Sequence, residues 1–346
     1  MSIGQAWGSM MGSMNEEESF KLLDAYVDAG GNFIDTANNY QDEESEKYIG
    51  KWIAARGNRD LLFLATKFTN SYRTHDLGQG RTVNYGGNHK KSLKLSVADS
   101  LHKLKTDYID LLYVHWWDWT TSIEELMDSL HILVEQGKVL YLGISDTPAW
   151  VVSAANTYAK AHGKTPFSVY QGRWNLMLRD FERDIIPMAR HFGMALCPWD
   201  VLGGGQLQTA KQLEARKQIG DKGRGSNQSE EARRVSAALE KVAAEHNTES
   251  IQQIALAYVM QKTRNVFPLV GGRKIEHLQD NIKALSIRLT DEQIGYIESI
   301  KDFDIGFPLD FIGDDPKETG RQNPIMEVLV GAKIAWQQAA KPIGHV

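Results

Sequence analysis

Early in the chain, three apolar runs end in an ionisable residue: N-F-I-D stops at Asp35, F-L-A-T-K at Lys67 and I-D-L-L-Y-V-H at His115. If the three are neighbouring parallel strands, a partly desolvated Lys67 needs an opposite charge close by, and Asp35 can supply it. Tyr40 follows an Asn38-Asn39 pair whose turn propensity can carry the phenol back over the same rim. Beside an ammonium a phenol is pulled toward its ionised form and can serve as a general acid. His115 could donate to a substrate oxygen or orient it. Taken singly, Tyr40 reads as a loop aromatic, Lys67 as a surface lysine and His115 as a hydrogen-bonded core residue. Three successive strands ending in Asp, Lys and His is what argues for a site.

A shared rim requires parallel strands with crossover helices, and the hydrophobic periodicity predicts that alternation. Strands are expected at 32–35, 62–67, 109–115, 139–145, 167–171, 194–198 and 266–270. Helices are expected at 16–29, 43–56, 88–105, 122–136, 149–162, 180–192, 233–262 with a break near Asn247, and 274–284. An eighth strand is available only at Ser2-Ile3-Gly4. The expected fold is α/β, a (β/α)8 TIM barrel with extra C-terminal helices at 291–301 and 324–339. It forms a single domain over 1–346, with a core of 1–302 and a tail of 303–346. In such a barrel the chemistry sits at the C-terminal strand ends, which adds Ser145, Gln171 and Trp199 to the first three. The charged, glycine-containing stretch at 203–232 is read as a functional loop, with the K-G-R-G run at 222–225 as its solvated part.

Composition narrows the function classes. The 346 residues are 42% hydrophobic and 24% charged, enough for a sizeable core. A formal net charge of -5 argues against nucleic-acid and anionic-membrane partners. The lone Cys197 excludes an internal disulfide and a cysteine-based zinc cluster, and reads as a small core residue in a reducing, cytoplasmic compartment. The opening M-S-I-G-Q-A-W-G has no secretory-signal pattern, and no apolar run is long enough for a membrane helix. No G-x-G-x-x-G follows a strand, no G-x-x-x-x-G-K-[ST] occurs and H-E-x-x-H is absent, so no metal site is expected.

N-F-I-D-T-A-N-N-Y, F-L-A-T-K, D-Y-I-D-L-L-Y-V-H, G-I-S-D and V-Y-Q, in this order across nearly the whole chain, resemble the aldo-keto reductase superfamily. S-I-G-Q-A-W-G, G-I-S-D-T-P-A-W and P-W-D-V-L-G-G-G resemble its fungal aryl-alcohol dehydrogenase and norsolorinic acid reductase branch. The resemblance implies a catalytic Asp35, Tyr40, Lys67 and His115, with NADP(H) as hydride carrier and the tyrosine as proton donor to an aldehyde or ketone. It implies that Ser145, Asp146 and Gln171 hold the carboxamide and that Trp199 stacks on the nicotinamide. Leu202, Gly203 and Gly204 would approach the pyrophosphate, Gly271 and Arg273 the adenosine phosphate, and His277, Asp280 and Asn281 the adenine end. Arg273 is the expected partner of a 2′-phosphate, and Trp116 a wall of the substrate pocket.

Two departures stand out. Asp146 replaces the family's common asparagine, and Gln206 stands where a lysine would suit a phosphate better. Members of the family usually carry a hairpin before the first strand, and this chain begins almost at that strand. A cofactor-sensing binding module like the potassium-channel β-subunits, or an inactive truncated paralogue, is the alternative to an enzyme. The partner otherwise expected is a small carbonyl or alcohol.

Overall fold

The computed structural model describes residues 1–218, 227–342 and 344, so the K-G-R-G run lies outside the described residues. α1 (Gly8–Met11) and α2 (Glu16–Asp28) lead into β1 (Phe33–Asp35), followed by α3 (Glu44–Arg56), β2 (Phe63–Phe68), α4 (Thr74–Leu77), α5 (Lys90–Leu104) and β3 (Ile109–Val114). The alternation continues through α6 (Ile123–Glu135), β4 (Val139–Ser145), α7 (Ala149–Ala161), β5 (Phe167–Arg173), α8 (Ile185–Phe192) and β6 (Ala195–Trp199). Next come α9 (Ala210–Gln218), α10 (Glu230–Glu245), α11 (Ile251–Lys262), α12 (Ile275–Lys283) and α13 (Asp291–Glu298); the tail carries α14 (Leu309–Ile312), α15 (Pro316–Thr319) and α16 (Pro324–Val330).

β1 to β6 form one parallel sheet in sequence order, with helices outside it, in the α/β barrel arrangement expected. Every residue of β3 is buried, because helices cover its outer face and the barrel interior its inner one. Period-2 alternation along the strands assembles the rim. Asp35 pairs in register with Ala65, Lys67 with Tyr113, Tyr113 with Gly143, Ser145 with Gln171, and Gln171 with Cys197. The inward face beneath is packed by Ala65, Leu111 and Tyr113 with Phe33, Phe63 and Val169 against them. Gly143 is needed there, since a Cβ on it would fall 2.5 Å from the Tyr113 ring.

Four expectations change. The seventh strand is reduced to a single parallel bridge of Val266 with Leu196, although Phe267 N and Leu269 N still donate to the β6 carbonyls of Leu196 and Pro198. Ser2-Ile3-Gly4 is not a strand. Gly4 makes only an antiparallel bridge to Met14, and the amides of Gln5, Ala6 and Trp7 donate to the Glu44 and Gln41 side chains rather than to a neighbouring strand. Residues 180–192 divide into a short 3-10 turn and α8, whereas the break expected in 233–262 is found between α10 and α11, where Asn247 is left-handed at φ 54° and Ser250 caps the new start. The last helix stops at Val330 rather than 339, because Gly331 turns left-handed behind it. Among the described residues no helix is long and apolar enough to cross a membrane.

Candidate active site

The strand ends bring Asp35, Tyr40, Lys67 and His115 to one place. Lys67 is wholly buried; its Nζ donates to Asp35 Oδ1 and, at 2.7 Å, to the Thr36 carbonyl. Burial works against the Lys67 charge, but the Asp35 carboxylate and the Tyr40 phenol outweigh it and hold the ammonium above its ordinary pKa. The ammonium lies 5.1 Å from the centroid of the Tyr40 ring. Sequence reasoning expected Lys67 to pull the phenol toward ionisation, and it does so. Burial is the larger effect, however, and the phenol ends above its ordinary pKa.

The turn bearing Tyr40 is strained and fastened. Gln41, Asp42 and Glu43 are consecutive left-handed residues at φ 53°, 50° and 76°, a conformation that costs roughly 1–2 kcal/mol per non-glycine residue. Trp7 fastens one side, with Nε1 donating to Asp42 Oδ1 at 2.9 Å and its indole edge-on to the Tyr40 ring at 6.3 Å. Lys103 of α5 fastens the other. Its buried ammonium donates to the Asn38 carbonyl at 3.1 Å and to Glu43 Oε1 at 3.0 Å, and lies 2.7 Å from Glu46 Oε2. Asn38 Nδ2 donates to Ser96 Oγ of the same helix. Asn38 therefore anchors the turn as well as opening it.

His115 Nε2 lies 3.4 Å from the Tyr40 hydroxyl, and Nδ1 lies 3.2 Å from Asn70 Nδ2. Its ring stacks on Trp116 at 4.4 Å. Burial, then the Lys67 charge, pushes the imidazole well below its ordinary pKa, so the ring is neutral at physiological pH. Trp116 is 43% exposed and forms a wall beside this rim; Trp119 faces solvent, Trp117 packs on the core, and Trp174 is buried against Phe181.

Farther round the rim, Gln171 Nε2 donates to Asp35 Oδ2 at 2.9 Å, and Trp199 Nε1 donates to Asp146 Oδ1 at 3.1 Å. Ser145 Oγ reaches the other oxygen of Asp146 at 3.3 Å. Burial pushes the Asp146 carboxyl up from 3.8 to about 6, and the bonds from Trp199 and Ser145 offset only part of that. The folded chain therefore holds this proton more tightly than the unfolded one. The resulting stabilisation is present below about pH 4 and is lost as pH rises through about 6, a difference of about 3 kcal/mol. Asp146→Asn should accordingly gain up to about 3 kcal/mol over the native chain at about pH 8, with the gain vanishing near pH 4. Urea unfolding at both pH values measures this, and a gap that ignores pH would refute it.

Gly203, Gly204 and Gly205 follow β6 at φ 60°, 64° and 85°, a left-handed run only glycine adopts without strain. The Gly203 amide donates to the Asp200 carbonyl at 2.8 Å and shapes the turn. Gln206, which stands where a lysine would suit a phosphate better, is engaged elsewhere, since its Oε1 accepts from the amide of Ser229, the cap of α10. Beyond the seventh segment, the Arg273 guanidinium lies on Gly12, where a Cβ would fall 1.5 Å from Nη1. Gly271 and His277 are exposed and Asn281 half-buried; His277 and Asn281 sit one turn apart on α12. Asp280 points the other way, its carboxylate accepting from Ser250 Oγ at 2.5 Å and Gln253 Nε2 at 2.7 Å. It holds α12 against α11. A cleft of 470 Å³ beside it is lined by Thr209, Gln212, Gln253, Asp280 and Lys283.

Sequence reasoning missed Trp7, Asn70, Lys103, Glu43, Glu46 and Tyr113. Only Tyr113 had a signal, its place two residues before His115 on an inward-facing strand. Cys197 is buried near it, and burial pushes the thiol up to about 12, which suits packing rather than reactivity.

The aldo/keto reductase family model matches residues 1–302. The chain is 62% identical to a Saccharomyces cerevisiae protein named a putative aryl-alcohol dehydrogenase, over 97% of this chain and 90% of that protein. It is 51% identical to the aryl-alcohol dehydrogenase [NADP(+)] of Phanerodontia chrysosporium, covering 99% of this chain and 90% of that one. Against the norsolorinic acid reductase of Aspergillus flavus identity is 50%, over 97% and 84%.

Proposed function

The chain belongs to the aldo/keto reductase family and is an oxidoreductase of carbonyls and alcohols; from that premise we propose that it reduces aromatic aldehydes reversibly with NADPH. The observation that carries this reading is the meeting of a buried Lys67–Asp35 pair, a protonated phenol and a neutral imidazole at one rim. Tyr40 Oη gives its proton to the carbonyl oxygen on reduction and takes it back on oxidation. His115 Nε2 orients that oxygen, Lys67 stabilises the phenolate left behind, and Asp35 compensates Lys67. Trp7 and Trp116 supply flat walls suited to an aryl ring. NADPH, when bound, supplies the hydride.

The chain's own residues fit that cofactor. Ser145, Asp146 and Gln171 offer polar groups for a carboxamide, Trp199 an aromatic face, and Gly203–Gly205 a backbone free of side chains. The exposed Arg273 offers a planar fork for a 2′-phosphate. Residues 1–302 form the catalytic unit and 303–346 an appended tail, and the reduced Cys197 suits a cytoplasmic location. A panel of aromatic and aliphatic aldehydes, run with NADPH and NADH in parallel, tests this through the loss of nicotinamide absorbance. No turnover of any aldehyde would sink the reading. Arg273→Ala should weaken NADPH binding by about 1.5–3 kcal/mol, roughly tenfold to a hundredfold, and leave NADH binding alone. Equal losses for both cofactors would remove the 2′-phosphate assignment.

A further inference from the structure

Asn70 lies outside the four residues that meet at the rim, yet its side chain touches the one whose proton position matters most. We propose that Asn70 is a positioning residue that holds neutral His115 as the Nε2–H tautomer, so that the imidazole presents a donor to the substrate oxygen. This rests on the reading of the rim as the reacting site.

An asparagine Nδ2 carries only donors, so a ring nitrogen facing it at 3.2 Å presents its lone pair. A neutral imidazole has one N–H, and with Nδ1 accepting, that hydrogen is on Nε2. Nε2 is the nitrogen 3.4 Å from the Tyr40 hydroxyl, where phenol and carbonyl oxygen must meet. The opposite tautomer would reverse the chemistry. A bare Nε2 would draw the phenol proton toward itself and could not donate to the carbonyl. Depression of the His115 pKa by burial and Lys67 agrees with a single ring proton.

The backbone is arranged to aim this amide. Thr69, immediately before Asn70, sits at φ 121°, where a β-branched residue is strained. Its Oγ1 donates to Asn88 Oδ1 at 2.7 Å and accepts the His115 amide at 3.2 Å, and its carbonyl accepts from Gly87 N at 2.7 Å. Asn88 Nδ2 in turn donates to the Trp116 carbonyl at 3.1 Å. The corner after β2 and the end of β3 are thus stitched together. The imidazole is gripped at one edge by Asn70, on one face by Trp116 and at Nε2 by Tyr40. Strain at Thr69 persists because these bonds over-determine it.

The test is the 15N spectrum of histidine-labelled protein near neutral pH, with the His115 signals identified by their loss in His115→Asn. The native protein should show His115 protonated at Nε2. In Asn70→Asp a carboxylate can only accept, so the ring should switch to Nδ1–H or to the imidazolium. Asn70→Ala, which adds no charge, should show a mixture of tautomers. A native Nδ1–H pattern, or an Nε2–H pattern unchanged in both variants, overturns the proposal. With an aldehyde and NADPH, Asn70→Asp should lower kcat by about 10²-fold, the scale of one lost donor to a developing oxyanion. The Kd for NADPH should stay within about twofold, as expected for a group that acts only in the reaction. Failure of the functional reading would show as a native protein without turnover, while the tautomer pattern would stand or fall by itself.

Discussion

Tyr40→Phe should lower turnover by about 10²–10⁴-fold while leaving NADPH affinity and thermal stability nearly unchanged. The hydroxyl interacts with His115 Nε2 at 3.4 Å and with the Lys67 ammonium, which keeps Asp35 and the Thr36 carbonyl in the variant, so its removal costs the fold little. Phenylalanine keeps the ring 5.1 Å from the Lys67 ammonium and edge-on to Trp7. On the proposed reading, what it removes is the proton that the phenol gives to the carbonyl oxygen on reduction and recovers on oxidation. Because burial holds the phenol above its ordinary pKa, reduction should stay level through neutral pH and decline only where strong alkali strips the proton. Alcohol oxidation, which begins by taking a proton, should rise with pH over the same range. Steady-state rates in both directions, with cofactor binding measured separately, check this. Near-native reduction by the variant would refute the assigned role, and equal losses of binding and rate would make Tyr40 a structural residue.

The second large effect is on stability. Lys103→Met should destabilise the chain by about 3–5 kcal/mol, the cost of leaving buried charge without its partner. Lys103 lies between the buried Glu43 and Glu46, whose attraction outweighs the burial that opposes its charge. Without it Glu46 retains a hydrogen bond from Thr66 Oγ1 at 2.6 Å but no cation. Glu43 keeps His75 at 3.5 Å and Arg73 at 4.0 Å. The Asn38 carbonyl also loses its donor, and with it the left-handed run at 41–43 loses one fastening. Urea unfolding gives the size, and Lys103→Met/Glu46→Gln should recover part of the loss because it removes the stranded carboxylate. A single-variant cost below about 1 kcal/mol would place the cluster among ordinary surface pairs.

Much of this was legible in the residues. The β-branched runs located β1 to β6 within a residue or two, and 139–145 matches β4 throughout. With the strands parallel and in the observed register, a two-residue period puts Asp35, Lys67, Ser145 and Gln171 on one face. The break near Asn247 was equally local, with Ser250 restarting α11, whereas the expectation for the last helix ran past the Gly331 that ends α16. What failed were the seventh strand, reduced to one bridge, the undivided helix at 180–192, the last helix and the eighth strand. Its three residues have the right composition, but their neighbours' amides found better acceptors in Gln41 and Glu44, which only the folded chain brings near.

By itself, then, the sequence determined which side chains could do chemistry, because strand period and ionisable strand ends are local properties. The tertiary structure decided how those side chains are held and charged. Trp7 and Lys103 stand far along the chain from the Tyr40 turn they fasten, and Asn70 stands 45 positions from the imidazole it touches. Local periodicity carries no record of such contacts. The sign of the Tyr40 shift shows the same limit, since the attraction of Lys67 is readable from a motif. The burial that outweighs it depends on every residue packed around the phenol.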